Sequence, residues 1–201
     1  MRLLSAAILT IAILAIAPAL AEPAVEGGHG MVVTSQRLAS EAGLEILKAG
    51  GNAVDAAVAV GYALAVVEPC CGNVGGGGFM VLRLADGRER FLNFREMAPA
   101  AATRDMYLDA AGNPIREASL TGFRAAGIPG SVMGLDTALR EYGQLSRAQV
   151  MAPAIRLARD GFTLVEADLQ DLRQEAPRLS QDPGAAAIFI RPDGRPWQAG
   201  D

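Results

Sequence analysis

Few side chains in this sequence are placed to do chemistry, and Arg95 is the foremost. It stands in Phe94-Arg95-Glu96-Met97-Ala98-Pro99, which follows a glycine run, Gly75-Gly76-Gly77-Gly78, and a predicted hairpin. A guanidinium there can hold a small anion as a two-pronged fork, a charge-assisted contact worth about 1.5–3 kcal/mol. With Glu96 beside it, Arg95 can instead form a surface ion pair worth about 0–1 kcal/mol. On side-chain chemistry alone the ion pair is the simpler reading.

The other candidates are less complete. The glycines at 72, 75, 76, 77 and 78 do not fit a G-x-G-x-x-G spacing. They also follow a predicted helix and precede a predicted strand, the reverse of a dinucleotide fold, and no Walker lysine follows. The run therefore serves close backbone approach or positive φ, or it exposes amides to an oxyanion or substrate. His29, the single histidine, sits in a glycine-rich segment without partners for a metal site or a histidine-based triad, so it reads as solvated. Ser131 lacks the flanking glycines of a nucleophile elbow, because Pro129 and Met133 occupy those positions; it reads as a helix N-cap. Cys70 and Cys71 are adjacent. Neighbouring Cα atoms lie about 3.8 Å apart, below the usual bridged separation of roughly 4.4–6.8 Å. Two packed thiols are the simpler state, and a strained vicinal disulfide is the alternative. No histidine is placed to make either a catalytic cysteine. The sequence holds no complete catalytic constellation and no predicted metal site.

The elements that carry these residues follow from periodicity and punctuation. Met31-Val32-Val33 reads as a short strand, and Thr34 or Ser35 as the cap of the helix after it. Arg37, Glu41, Glu45 and Lys48 form one polar stripe of that helix, with Leu38, Ala42, Ile46 and Leu47 on another face. Gly50-Gly51 ends it. Asn52 caps a second helix, with Asp55 favouring its N-terminal dipole. Ala53 to Val67 is apolar almost all round, which predicts a central core helix too short to span a membrane. Phe79–Leu84 and Glu89–Phe94 read as strands about an Asp86-Gly87 turn. Gly112-Asn113-Pro114 and Gly127-Ile128-Pro129-Gly130 mark further turns. Helices are predicted over Ser131–Tyr142, Ser146–Asp160 and Val165–Leu172, a strand over Ala187–Ile190, and a turn over Pro192–Gly194. Strand, two helices, hairpin, then helices is an α+β order.

Composition bounds the rest. The chain has 201 residues, enough for one domain with a core. Residues 1–21 have the form of a secretory signal peptide: Arg2, an apolar run, then Ala19-Leu20-Ala21 before Glu22. The alternative, an uncleaved anchor, needs a longer apolar run of about 20 residues. Cleavage after Ala21 removes one of the 18 basic residues, Arg2, and none of the 22 acidic ones, taking the net charge from −4 to −5. The expected location is periplasmic or secreted. Without any basic block, nucleic acid is excluded as an expected partner.

Several of these stretches together resemble the γ-glutamyltranspeptidase family. They are Ile46-Leu47-Lys48-Ala49-Gly50-Gly51-Asn52-Ala53-Val54-Asp55-Ala56-Ala57-Val58-Ala59, then Gly72-Asn73-Val74-Gly75-Gly76-Gly77-Gly78-Phe79-Met80, then Phe94 to Pro99, Gly127 to Val132, and Ala154 to Phe162. The likeness runs from about Gly30 to Asp201. It implies an N-terminal-nucleophile hydrolase with an αββα sandwich, made as an exported zymogen that cuts itself into a large and a small subunit. It implies a threonine nucleophile at the new N-terminus whose own amine is the base. The activity implied is γ-glutamyl transfer from glutathione to water, amino acids or peptides, with no metal or organic cofactor. It assigns Arg95 to the substrate α-carboxylate.

This sequence departs from the family at Cys70-Cys71, where a polar or small pair is usual, and at Glu68, where a histidine is common. The family's Thr-Thr-His motif is expected beyond residue 201. Residues 22–201 thus resemble the N-terminal part of a large subunit, an incomplete sandwich whose partners are the rest of that subunit and the small subunit. The 201 residues alone are expected to be inactive and to expose sheet edges that favour aggregation. Two rival readings remain: a cephalosporin-acylase-like enzyme acting on glutaryl amides, and an inactive exported remnant.

Overall fold

The computed structural model describes residues 24–201; the predicted signal peptide lies outside them. Residues 24–31 fall in a separate unit from Val32–Asp201. They carry no helix or strand and are exposed, His29 included.

The second unit begins with α1 (Arg37–Lys48) and α2 (Ala53–Val67). A hairpin of β1 (Phe79–Arg83) and β2 (Glu89–Asn93) follows. After a long irregular segment with one 3-10 turn come α3 (Ser131–Tyr142), α4 (Arg147–Asp160), α5 (Glu166–Leu179) and α6 (Pro183–Phe189). The α+β class holds. Among the described residues the only sheet is the two-stranded antiparallel hairpin. No described helix is long and apolar enough to cross a membrane.

The apolar sequence of α2 makes it the hub. Val58, Ala59 and Ala63 are wholly buried, and α1, α3 and α4 pack around them. Small residues set the distances: a Cβ on Gly61 would lie 3.0 Å from Leu135, and one on Gly43 would lie 2.7 Å from Val60. The polar stripe of α1 is exposed as predicted, while Ala42 and Ile46 face the core. Gly50, at φ 89°, ends α1; its N–H donates to Leu47 O and that of Gly51 to Ile46 O.

A two-stranded ribbon is marginal alone. Met80, Leu82 and Leu92 fasten this one to the helical core. The opposite face is bare: Phe79, Val81 and Phe91 are 54%, 77% and 61% exposed, with the two phenyl rings stacked at 5.8 Å.

Four expectations are corrected. Met31–Val33 is irregular and pairs with no strand among the described residues. The cap of α1 is Gln36, whose Oε1 accepts from Leu38 N at 2.6 Å; Thr34 instead donates its hydroxyl to Gln36 O. α5 runs on to Leu179, because Arg173–Glu166 and Arg178–Glu175 ion pairs sustain a polar helix beyond its buried Leu169. Ala187–Ile190 is not a strand: Asp182 accepts from Ala185 N at 2.8 Å, Pro183 opens the first turn, and a helix runs to Phe189.

Candidate functional site

Three sequence-distant segments meet around the backbone of Phe94. The first is the glycine loop, whose Gly78 carbonyl accepts from Phe94 N at 3.0 Å. The second is Phe94–Pro99 itself. The third is Gly127–Ser131, joined to the second where Met97 and Ile128 exchange hydrogen bonds of 3.1 and 2.8 Å. The first and third are tied directly, since Gly130 N and Ser131 N both donate to Gly76 O, at 2.8 and 3.0 Å.

This convergence explains the glycines. None between 72 and 78 has positive φ. What they supply is room: a Cβ on Gly77 would come within 2.6 Å of Phe94 O and 2.8 Å of Arg95 Cα, and one on Gly130 within 2.0 Å of Phe94 O. Of the two structural roles open to the run, close backbone approach is the one observed. Ser131 is the first residue of α3, not its cap; Gly130 is the cap. The Ser131 hydroxyl is buried and bonds Asn73 Oδ1 at 2.9 Å, a further tie to the glycine loop.

Gly134, one turn into α3, seats the Phe94 ring: a Cβ there would lie 2.1 Å from Phe94 Cγ. Because that contact is at the root of the ring, no rotation of a side-chain tip relieves it. Gly134→Ala is therefore expected to destabilise by about 1–3 kcal/mol through overpacking. Thermal melts of the full-length protein check this, and an unshifted midpoint would count against the packing role.

Arg95 leaves this knot directed at solvent, with its side chain 65% exposed. Its Nε lies 3.2 Å from Glu96 Oε2, and its Cζ sits 5.8 Å from the centre of the Phe79 ring. Asn93 Oδ1 accepts from Arg95 N at 3.0 Å and fixes the main chain below it. Both readings of Arg95 are thus compatible with its position: it is ion-paired, and most of its guanidinium is free for an anion. A separate apolar recess between α5, α6 and Trp197 shares no residue with this ledge. The three arginines that line it are already paired: Arg173 with Glu166, Arg191 with Asp193 and Asp201, and Arg195 with Asp193.

A second cluster escaped the sequence reading. Cys70 and Cys71 are free thiols with Sγ atoms 2.6 Å apart, and one Glu68 carboxylate oxygen lies within 4.8 Å of both. The hydrogen bond with Cys71, then burial, then the Asp171 carboxylate push the Cys70 thiol up to about 12. In the sequence Glu68 stands out only as a departure from a family pattern. Its position, two residues before a cysteine pair and at the end of a helix, was the available signal.

Comparison with known proteins supplies the context. The family model Gamma-glutamyltranspeptidase matches residues 39–201. A glutathione hydrolase proenzyme of Pseudomonas sp. (strain A14) is 52% identical over 173 residues, covering 86% of this chain and 30% of that protein. An acylase ACY 1 proenzyme of Pseudomonas sp. (strain V22) is 43% identical, covering 87% of this chain and 32% of its own length. The crystal structure of Helicobacter pylori gamma-glutamyltranspeptidase superposes with a TM-score of 0.86 at 41% identity, over 89% of this chain and 51% of that one. The chain thus spans about a third or less of the length of these two curated relatives. With a matching family model over most of its length and relatives of this similarity, the chain belongs to the gamma-glutamyltranspeptidase family.

Proposed function

We propose that the whole protein transfers the γ-glutamyl group of glutathione and γ-glutamyl amides to water, amino acids or peptides. The observation that carries this reading is Arg95, held by three interlocked segments yet left exposed at its guanidinium. A γ-glutamyl group bears an α-carboxylate remote from the bond to be broken, and an arginine fork is suited to such a group. Binding there orients the γ-carbonyl for attack without taking part in it. The nucleophile is assigned to a threonine outside residues 1–201, with its own amine as base. The bare outer face of the β1–β2 hairpin is suited to a second layer of an αββα sandwich, supplied by the rest of the large subunit and by the small subunit. Export by a signal peptide over residues 1–21 and a periplasmic or secreted location belong to the same proposal, as does synthesis as a zymogen.

The similarity to an acylase supports a second reading, action on glutaryl amides. Glutaryl keeps the carboxylate that Arg95 would hold and lacks only the α-amino group, so the two readings differ in whether the whole protein recognises that amine. Full-length protein assayed on γ-glutamyl-p-nitroanilide and on the glutaryl analogue decides between them. The expected result is a kcat/KM at least about tenfold higher for the γ-glutamyl compound, which is about 1.4 kcal/mol. Equal or reversed preference favours the acylase. The 201-residue chain alone is expected to release no p-nitroaniline, and turnover by it would place the nucleophile inside these residues.

A further inference from the structure

We propose that Glu68, Cys70 and Cys71 form a binding site for a thiophilic divalent cation of the zinc class, where α2 meets the glycine loop. Each residue offers one ligand atom, and the three atoms lie within 4.8 Å of one another. Two sulfurs and one carboxylate oxygen suit zinc, which takes both donor types in tetrahedral sites. Magnesium and calcium call for oxygen alone, and monovalent copper favours sulfur over carboxylate.

The backbone that carries the three donors is held. Glu68 is the C-terminal cap of α2, its N–H donating to Leu64 O at 2.9 Å. Cys71 N and Gly72 N return to Glu68 O at 3.1 and 2.8 Å, closing a tight turn. A Cβ on Gly72 would lie 2.2 Å from the Leu64 carbonyl carbon, so the turn sits directly against the helix. Ser35 Oγ donates to Glu68 Oε2, orienting the carboxylate as outer-shell partners of metal ligands do. The side chains above this frame need little movement. Zinc–sulfur bonds of about 2.3 Å in a tetrahedron put the sulfurs about 3.8 Å apart. The present separation is 2.6 Å, and both cysteines are exposed free thiols. Cation binding releases the two thiol protons to solvent. Asp171, whose carboxylate acts on Cys70, offers a further oxygen for the fourth position, with water as the alternative.

The test uses full-length protein kept reduced with a phosphine. Cobalt(II) is titrated in as a spectroscopic stand-in, and zinc(II) is then added. A sulfur-to-cobalt charge-transfer band is expected, saturating at one equivalent and abolished by zinc. It should be absent from the Cys70→Ser/Cys71→Ser double variant. Glu68→Gln should weaken cobalt binding at least about tenfold while keeping the band, in the range seen when metal-site partners are lost. No such band in protein whose two thiols react freely with a thiol reagent would overturn the proposal. So would a band that survives the double variant, or an unchanged affinity in Glu68→Gln. Metal binding is read independently of hydrolysis, so its failure leaves the γ-glutamyl reading untouched.

Discussion

Arg95→Ala in the full-length protein is expected to lower kcat/KM for γ-glutamyl substrates by about 10- to 150-fold, the loss of a charge-assisted contact of about 1.5–3 kcal/mol. The loss should fall mainly on KM, because the α-carboxylate is held before and during the reaction alike. Turnover of a 4-aminobutyryl amide, which keeps the amine and lacks the carboxylate, should change by less than about twofold. Arg95→Lys keeps the charge and loses the fork, so it should recover only part of the affinity. Glu96→Gln is the control for the competing role. The Arg95–Glu96 pair is exposed, with an Nε to Oε2 distance of 3.2 Å, and such pairs contribute about 0–1 kcal/mol. If Arg95→Ala leaves γ-glutamyl kinetics where they were, the ion pair is all that Arg95 does.

That experiment separates two roles the isolated side chain could not. Arg95 beside Glu96 is an ion pair by adjacency, and adjacency is all a sequence displays. What raises its standing is the frame beneath it. Gly77, Gly130 and Gly134 each lie where a Cβ would strike Phe94 or its neighbours. Three segments are drawn together to hold one main-chain position. Those contacts span tens of residues in sequence, and no periodicity encodes them.

Local physics, by contrast, was readable. The bounds of α2 and α3 follow from Asn52, Pro69, Gly130 and Gly143. Both strands of the hairpin were placed to within one residue, because Asp86-Gly87 sets their register. Two of the misreadings share a cause, competing local bonds. Gln36 out-competed Thr34 and Ser35 for the α1 cap, and Asp182 with Pro183 turned an apolar stretch into a helix. The run Met31–Val33 has strand composition but no partner strand among the described residues. Cys70 and Cys71 raise the questions of a disulfide and of a catalytic thiol; Glu68 two residues before them is the one sign of a three-donor cluster, and it is the turn closing on Glu68 O that gathers the three around one point.

Asp55 carries the largest stability prediction, and it too has a part that was readable and a part that was not. Its position three residues after Asn52 marks a capping box, and that box is present: Asn52 N donates to Asp55 Oδ2 at 2.7 Å. The remaining bonds are tertiary. Gln144 N donates to both carboxyl oxygens, at 3.0 and 3.1 Å, and Leu145 N to Oδ1 at 3.2 Å. Asp55 is 0% exposed and so joins the start of α2 to the turn between α3 and α4. Gly143 makes room for it, since a Cβ there would lie 2.6 Å from Oδ1. Asn52 adds a parallel tie, its Nδ2 donating to Tyr142 O at 2.7 Å. Asp55→Ala removes the acceptor of three backbone N–H groups at once, in a place water does not reach. At about 1–3 kcal/mol for each orphaned group, partly relieved by rearrangement, the expected loss is about 3–5 kcal/mol. Glu41→Ala is the matched control. Glu41 pairs with Arg37 on the exposed stripe of α1, and its loss should stay within about 0.5 kcal/mol. Urea and thermal unfolding of the full-length variants should therefore separate two acidic residues that lie 14 positions apart in sequence and differ chiefly in burial. A loss below about 1 kcal/mol for Asp55→Ala would mean that the α3–α4 turn does not depend on it.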